Sequence, residues 1–380
     1  MTIVAYVCAG WCLILLALNF SAIVVTARKC RARPRNLPVP VPAPAVSVVR
    51  PLRGIEPFSE ETLRASFEFD YPDYELIFCV QSPNDPIIPM AQRMIAEHTS
   101  VPARLLIGDD YVSANPKLNN CVKGWDAARH RYVVLSDSNA LPPRDYIQTM
   151  LAAFEDDETA MTVSMPIGSK PSGFWGVVEC AILNTFQARW QYGAESIGIG
   201  FAQGKNMMWR REVLDRAGGI RALASDIAED AASTKIIRAQ GMRVRLVDMP
   251  FEQPLGPRKL REVYSRHARW ARLRRVTFPA YFVPEFQNGS FMPVLLGAYA
   301  AHLLDGSAGL TALSILASLY GAEYALAVVC DWTRGWRLPF AMLARDVMLP
   351  IMFVDACLFD DFVWHGNAMT VREEEEEIVG

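Results

Sequence analysis

The chain has 380 residues, a net charge of −3 and an apolar fraction of 51%, which is above the usual soluble average. Its length leaves room for two or three domains. The charge balance provides no global field for nucleic acid, so a nucleic-acid partner is not expected. Eight scattered cysteines and five histidines show no paired ligand spacing, which argues against a structural zinc site and a disulfide-stapled mini-protein.

Residues 1–27 are predicted to form an N-terminal transmembrane anchor. Ile3–Ala27 carries no charge and would be roughly 37 Å long as a helix, enough to cross a hydrocarbon core of ~30 Å. A cleaved signal peptide fits less well, because no basic region precedes the apolar run. The positive cluster follows the run and comprises Arg28, Lys29, Arg31, Arg33 and Arg35. The positive-inside rule therefore places the segment that follows this span in the cytoplasm and the N-terminus outside, and thiols stay reduced in the cytoplasm.

A basic, proline-rich linker is predicted over residues 28–44, with an extended polyproline conformation from Pro34 to Pro44. From residue 45 to 285, short apolar runs alternate with helical patterns, which is typical of an α/β domain with a mainly parallel sheet. The predicted strands are Val46–Arg50, Glu75–Val80, Ala103–Ile107, Tyr132–Ser136, Ala160–Ser164 and Met242–Val247. The predicted helices are Ser59–Phe67, Pro86–His98, Leu118–Ala128, Pro143–Phe154, Trp175–Gln191 and Glu229–Gln240. Ser59 is expected to cap its helix and Gly241 to end the last one.

Residues 286–360 are apolar again and are predicted to form C-terminal transmembrane or re-entrant helices. The span candidates are Phe286–Leu304, Ala308–Cys330 and Leu338–Phe359. Arg345, Asp346 and Asp355 interrupt the last of them, and charges in a span usually face protein or water, so this segment either spans or is re-entrant. Residues 361–380 are predicted to be a solvated acidic tail with five consecutive glutamates, Glu373–Glu377.

Four acidic residues lie where a predicted strand ends or a helix begins, which is where such a sheet binds ligands. They are Asp85, Asp137, Glu229 and Asp230. Each one alone could be a turn residue or a helix cap. A basic amphipathic helix predicted over residues 258–275 adds eight Lys or Arg side chains. This helix either lies on an anionic lipid bilayer or binds phosphate, since guanidinium groups pair bidentately with phosphate, and both interpretations can hold.

The R-H-A-R-W sequence at Arg266–Trp270 matches the (Q/R)-x-x-R-W motif of membrane glycosyltransferases with the GT-A fold. Further matches, in chain order, are R-P-L-R-G (Arg50–Gly54), F-D-Y-P-D-Y-E (Phe69–Glu75), N-D-P (Asn84–Pro86), N-P-K-L-N-N (Asn115–Asn120), S-D-S (Ser136–Ser138), A-G-G (Ala217–Gly219) and A-E-D (Ala228–Asp230). Together they resemble the ceramide glucosyltransferases, family 21 of the glycosyltransferases, over about residues 45–275. The resemblance implies a GT-A catalytic domain with transmembrane helices on both sides.

The resemblance also implies roles for single residues. Asp230 would be the general base, Asp85 would lie near the uridine or the metal, and Asp137 would meet the metal and the diphosphate. The other donor-binding residues implied are Arg53, Lys117, Asn119, Arg266, Arg269 and Trp270. The metal is expected to be Mg²⁺ or Mn²⁺, and the acceptor is expected to contact Gln187 and Trp270.

The implied reaction is the inverting transfer of one hexose, glucose, from a UDP-sugar to a lipid alcohol, ceramide. The enzyme would be a multi-pass protein of a bacterial inner membrane. An alcohol is a poor nucleophile at neutral pH, so a carboxylate base is needed, and the departing diphosphate needs positive charge.

Two departures from the family pattern leave alternatives open. The usual D-x-D is Asp137-Ser138-Asn139 here, so one carboxylate remains and metal binding would rely on the donor's phosphates. Gln187 stands where vertebrate-like members carry a histidine, so another acceptor, such as a hopanoid with UDP-N-acetylglucosamine as donor, remains an alternative. A non-catalytic lipid-binding scaffold would have no reason to hold these acids together with Arg269, and a processive polysaccharide synthase would need more spans.

Overall fold

A computed structural model describes residues 1–32, 36–364 and 367–371. Arg33 and Arg35 of the basic cluster, the start of the proline-rich linker at Pro34, and the acidic run Glu373–Glu377 lie outside the described residues. The strands are β1 Val46–Leu52, β2 Tyr74–Val80, β3 Ala103–Ile107, β4 Tyr132–Ser136, β5 Thr159–Val163, β6 Pro166–Ser172, β7 Asn206–Arg210, β8 Arg243–Leu246, β9 Phe251–Pro257, β10 Asp361–Trp364 and β11 Asn367–Thr370.

Helices account for most of the remaining chain. They are α1 Thr2–Cys30, α2 Ser59–Ala65, α3 Ile88–Glu97, α4 Pro116–Ala127, α5 Tyr146–Ala152, α6 Gly173–Cys180, α7 Arg189–Ser196, α8 Arg211–Arg216, α9 Glu229–Ala239, α10 Leu260–Thr277, α11 Pro279–Glu285, α12 Phe291–Leu303, α13 Ala308–Val329 and α14 Leu338–Leu358. A π-helix, Ala181–Ala188, joins α6 to α7, and a 3₁₀-helix covers Ile220–Ser225.

The six predicted strands are all present, β3 and β4 with the predicted bounds and the others with shifted ends. Five of the six predicted helices are present with shifted ends, and the sixth, Trp175–Gln191, is divided among α6, the π-helix and α7. Gly241 follows α9 with a φ of +70°, as expected of a glycine that ends a helix. The cap prediction for Ser59 is wrong. Phe58 holds the cap position, Ser59 begins the helix, and its hydroxyl accepts a 2.8 Å hydrogen bond from the Glu56 amide. The strands β6, β7 and β9 were not predicted.

The chain folds into two compact units. Of the described residues, the sheet unit contains 36–166 and 198–254, and the helical unit contains 1–32, 167–197, 255–364 and 367–371. The range 45–285, predicted as one catalytic domain, therefore contributes to both units. The amphipathic helix predicted at 258–275 is α10 and belongs to the helical unit.

A seven-stranded sheet organises the sheet unit in the order β3-β2-β1-β4-β7-β5-β8. Its strands pair in parallel, except that β7 runs antiparallel to both of its neighbours, β4 and β5. The mainly parallel sheet is thus confirmed. Because β4 and β7 run in opposite directions, the end of β4 lies beside the start of β7, with Ser136 opposite Asn206. This edge of the sheet brings together side chains that are far apart in sequence.

Two helices of the helical unit, α1 and α13, are long and apolar enough to cross a membrane by length and composition within the described residues. The predicted span Phe286–Leu304 is shorter than expected, because its helix, α12, begins only at Phe291. With 13 residues, α12 is roughly 20 Å long, short of a ~30 Å hydrocarbon core.

Two of the three charged residues inside α14, Arg345 and Asp346, are buried in the helical unit. Arg345 pairs with Asp346 and with Glu323 of α13, each at 2.6 Å, and Glu323 also accepts from Arg189 at 2.9 Å. All four side chains are at most 5% exposed. Buried charges are tolerated when they are paired in this way, so these two charges of the predicted span face protein.

Candidate active site

One cluster of charged side chains lies at the edge of the sheet where β4 ends and β7 begins. Asp137 directly follows β4, and Lys205 directly precedes β7. The N-terminal ends of α4 and α9 bring Lys117, Glu229 and Asp230 to the same edge. The sheet unit thus places three carboxylates and two ammonium groups together.

Asp137 is held between two lysines. Lys117 Nζ lies 2.7 Å from Asp137 Oδ1, and Lys205 Nζ lies 2.7 Å from Asp137 Oδ2. Burial alone would raise the pKa of Asp137, but the two ammonium groups lower this pKa to about 2. The carboxylate therefore stays ionised at any physiological pH.

Lys117 has three protein oxygens around its ammonium group. Besides Asp137, its ammonium contacts Glu229 Oε1 at 2.6 Å and the carbonyl oxygen of Gly204. Burial would lower the pKa of Lys117, but the carboxylates of Asp137 and Glu229 raise it well above its usual value. Lys117 is therefore a fixed positive charge that links β4 to the start of α9.

The loop that carries Asp137 is fixed from behind by a buried arginine. Arg50, on β1, is 1% exposed and its guanidinium donates to the carbonyl oxygens of Asp137, Ser138 and Ala140 at 2.8 to 3.0 Å. On its other side it donates to Thr62 O at 2.6 Å and to the Ser66 hydroxyl. A planar fork with five donors suits this role, which a lysine could not fill.

Asp230 is half-buried at the start of α9. Its Oδ2 accepts from the Gly204 amide at 2.9 Å and its Oδ1 from the Ala231 amide at 2.8 Å. Burial raises the pKa of Asp230, the adjacent Glu229 carboxylate raises it further, and it reaches about 7. A Cβ at position 204 would lie 2.8 Å from Glu229 Oε1 and 3.3 Å from Asp230 Oδ2, so any other residue there would displace the Glu229 carboxylate.

The other residues predicted in this unit have different surroundings. Asp85 accepts from the Gly54 amide at 2.9 and 3.1 Å, and from the Ile87 amide at 3.0 Å, so it ties together the loops after β1 and β2. Arg53 is exposed directly after β1.

Asn119 is committed to a loop of the protein. Its side-chain oxygen accepts from the amides of Val112 and Ser113, and its nitrogen donates to Ser113 O at 2.9 Å. These backbone contacts hold the Asn119 side chain in place, and its contact with the donor stays a prediction.

Arg266 of the helical unit has an acidic partner within α6. Arg266 lies 2.6 Å from Glu179 Oε1, while Arg258 lies 2.9 Å from Oε2 of the same fully buried glutamate. The guanidinium expected to bind diphosphate is thus paired inside the protein. Arg269, one turn further along α10, is half-buried, and burial followed by the nearby Arg266 charge lowers its pKa to about 10.

Most of the other basic side chains of residues 258–275 are also paired within the helical unit. Arg272 lies 2.9 Å from Asp355, Arg274 lies 2.7 Å from Glu285, and Arg275 pairs with Asp360. Lys259 and Arg261 are exposed at the start of the helix. The ion pairs reduce the positive charge that this helix could offer to an anionic bilayer.

The two residues predicted to contact the acceptor, Gln187 and Trp270, both lie next to His267. Gln187 Nε2 lies 3.4 Å from His267 Nδ1, and the ring centroids of His267 and Trp270 are 5.0 Å apart in an edge arrangement. Gln187 and His267 line a pocket of about 40 Å³ with aromatic walls that include Phe186, Phe282 and Phe353. The π-helix that carries Gln187 is a rare geometry that recurs at functional sites.

The residues at Asp137 do not fit a resident divalent cation. Both carboxylate oxygens face an ammonium group, and Lys205 Nζ also lies 3.1 Å from Asn139 Oδ1, the other side chain of the D-x-D-like segment. Within residues 1–32, 36–364 and 367–371, no group of three His, Cys, Asp or Glu side chains is arranged to hold a metal. Asp137 was expected to be a metal ligand, but two ammonium groups already neutralise its carboxylate.

Sequence reasoning missed Lys205, Arg50 as a loop-positioning residue, and Gly204. Lys205 could have been found only by predicting the strand β7, because the antiparallel pairing of β7 with β4 brings position 205 beside position 137. The short strand contains no β-branched residue, so its pattern was weak.

Comparison with known proteins agrees with this fold. The model of glycosyl transferase family 21 matches residues 9–377. Ceramide glucosyltransferase 1 of Caenorhabditis elegans is 25% identical over 329 residues, which cover 85% of this chain and 70% of that protein. A ceramide glucosyltransferase of Komagataella phaffii is 36% identical over 141 residues, 36% of this chain and 28% of its own.

Among solved structures, a mannosyltransferase from Pyrobaculum calidifontis in complex with GDP-Man and Mn²⁺ is similar with a TM-score of 0.51. It is 19% identical, and the match covers 92% of this chain and 98% of that one. The likeness extends over both units and shows a shared GT-A fold. The chain belongs to glycosyl transferase family 21 and is a glycosyltransferase with the GT-A fold.

Proposed function

We propose that this enzyme transfers one glucose from UDP-glucose to ceramide, with inversion at the anomeric carbon. Two of its relatives are named ceramide glucosyltransferases, and the family match spans nearly the whole chain. The observation that carries the chemistry is Asp230, a half-buried carboxylate with a pKa near 7 in a cluster that also holds positive charge.

In the proposed mechanism, Asp230 takes the proton of the acceptor hydroxyl as that oxygen attacks the anomeric carbon. The bond between this carbon and the diphosphate oxygen breaks, and its electron pair stays on the departing UDP. A base with a pKa near the working pH is well suited to this proton transfer. Because one displacement inverts the configuration, an α-linked donor gives a β-glycoside.

The divalent cation implied by the resemblance has no step in this mechanism. Mg²⁺ or Mn²⁺ would need an oxygen of Asp137, and both oxygens are paired with lysines. Arg269 and Trp270 remain proposed donor residues because of the R-x-x-R-W match.

For the acceptor, we propose the aromatic pocket of the helical unit beside Gln187 and Trp270. His267, 3% exposed, keeps a neutral ring there, because burial and the charge of Arg266 lower its pKa well below the usual value. The walls of the pocket are mainly aromatic and aliphatic, and Gln187 and His267 are among its polar side chains.

The test is transfer by detergent-purified, full-length protein offered ceramide with UDP-glucose, and a hopanoid with UDP-N-acetylglucosamine. We expect glucosylceramide by mass spectrometry, and loss of the same lipid from a host lacking the gene. Hopanoid glycoside as the main product would overturn the ceramide assignment. Ceramide binding without any transfer would instead favour the lipid-binding scaffold.

The pH dependence of kcat/KM is expected to report Asp230. The base works deprotonated, and its pKa is raised to about 7, so activity should rise with pH up to about 7 and fall about tenfold per unit below it. Glu229→Gln removes the neighbouring charge that helps to raise this pKa, so the inflection should move to lower pH. An unmoved inflection would show that another group controls the profile.

We also propose that α1 and α13 lie in the membrane and that the catalytic part faces the cytoplasm. A fluorescent reporter fused after Pro44 should fold in the cytoplasm, and an alkaline phosphatase reporter at the same place should be inactive. The same pair of reporters placed at residue 1 should give the opposite result. Active phosphatase after Pro44 would contradict the orientation.

A further inference from the structure

Lys205 has its ammonium group where two side chains of the D-x-D-like segment converge. Its Nζ lies 2.7 Å from Asp137 Oδ2 and 3.1 Å from Asn139 Oδ1. Oxygen atoms arranged like this around one positive charge are what a Mg²⁺ or Mn²⁺ ion would bind beside a diphosphate. In this chain the Lys205 ammonium group lies between these oxygens of Asp137 and Asn139.

The placement of Lys205 follows from the sheet. The antiparallel register puts Asn206 opposite Ser136, and the Asp137 amide donates to Lys205 O at 2.9 Å. The Lys205 side chain is 14% exposed and that of Asp137 is 17% exposed. The backbone pairing and this low exposure fix the ammonium beside the carboxylate.

Lys117 and Lys205 differ in the number of protein oxygens around their ammonium groups. An ammonium has three donor hydrogens. Lys117 Nζ already has three protein oxygens close to it, from Asp137, Glu229 and the carbonyl group of Gly204. Lys205 has two partners among the described residues, Asp137 and Asn139, which leaves a third N–H for a ligand oxygen. Lys117 therefore positions the carboxylates, and Lys205 is able to touch a bound diphosphate.

We propose that Lys205, supported by Lys117, supplies the positive charge that a divalent cation supplies in metal-dependent sugar-nucleotide enzymes, so that this enzyme binds its nucleoside diphosphate without a metal. The inference rests on the proposed function and names the side chain that binds the diphosphate of the sugar nucleotide. When the bond to the anomeric carbon breaks, the electron pair goes to the diphosphate oxygen, and the Lys205 N–H donates to the diphosphate. A divalent cation at Asp137 would be repelled by the ammonium groups of both lysines.

The experiment is calorimetric titration of UDP into the full-length, detergent-purified protein, in EDTA and in Mn²⁺. Wild-type protein should bind UDP equally well in both buffers. Lys205→Met should weaken binding in EDTA by at least about tenfold, the weight of one charge-assisted hydrogen bond. Added Mn²⁺ should restore part of that loss, because the oxygens of Asp137 and Asn139 become available. Lys205→Arg, which keeps the charge, should retain binding in EDTA.

The matched control is Arg221→Met, which removes one positive charge of the sheet unit from an exposed pair with Asp126. It should leave UDP affinity unchanged, and thermal melting of each variant checks folding. UDP binding by wild-type protein that disappears in EDTA and returns with Mn²⁺ would overturn the inference while the proposed function stands. Metal-free UDP binding with no transfer to ceramide would support the inference and overturn the proposed function.

Discussion

Asp230→Asn is expected to lower the transfer rate by at least about 10²-fold, the low end for a general base, while UDP affinity changes little. Asparagine keeps the shape of the side chain and can still accept the 2.9 Å hydrogen bond from the Gly204 amide. It cannot take the proton of the acceptor hydroxyl. Steady-state kinetics with saturating lipid and calorimetric UDP binding separate these two effects.

Asp126→Asn is the matched control, since Asp126 forms an exposed pair with Arg221 in the same unit. Its turnover should equal that of the wild type. Asp230 also accepts a hydrogen bond from the Ala231 amide, so within the first turn of α9 it satisfies a donor that has no partner in the helix. Turnover of Asp230→Asn near the wild-type rate would show that capping is its whole role.

The fold could be predicted from the sequence wherever the local pattern was strong. Strands such as β2 and β4 are short, buried apolar runs that include β-branched residues, and their bounds were predicted within one residue. The strand β7 lies in the middle of the sheet but consists of Asn-Met-Met-Trp-Arg, and only its pairing with β4 and β5 identifies it. Tertiary context outweighs such a weak local preference.

The site divides in the same way. Asp137 and Asp230 were predicted because they follow a strand or begin a helix and match family motifs. Lys205 lies 68 positions after Asp137, and no local pattern records that the two side chains meet. Asn119 and Arg266 also matched motifs, but a motif does not show which neighbour a polar side chain selects. Asn119 binds the loop at Val112 and Ser113, and Arg266 binds Glu179.

Arg269→Lys is expected to lower kcat about 10²-fold, the cost of removing one donor that stabilises developing negative charge. Lysine keeps the positive charge but loses the planar fork of donors that matches phosphate. Burial and the adjacent charge of Arg266 lower the pKa of Arg269 to about 10. Arg269 is therefore in an environment unlike that of a solvated surface charge. The measurement is single-point kinetics with saturating lipid.

The control is Arg261→Lys, an exposed position of the same helix, which should be silent. Arg272→Lys and Arg275→Lys should have only small effects, because a lysine can still pair with Asp355 or Asp360. If α10 acts only by resting on anionic lipid, its charges are interchangeable, each worth ~1 kcal/mol of surface attraction that salt weakens. Equal, mild and salt-sensitive losses at positions 261, 269, 272 and 275 would support that role and would remove Arg269 from the proposed donor site. A loss confined to position 269 requires a partner with directional acceptors, which a diphosphate supplies and a diffuse lipid surface does not.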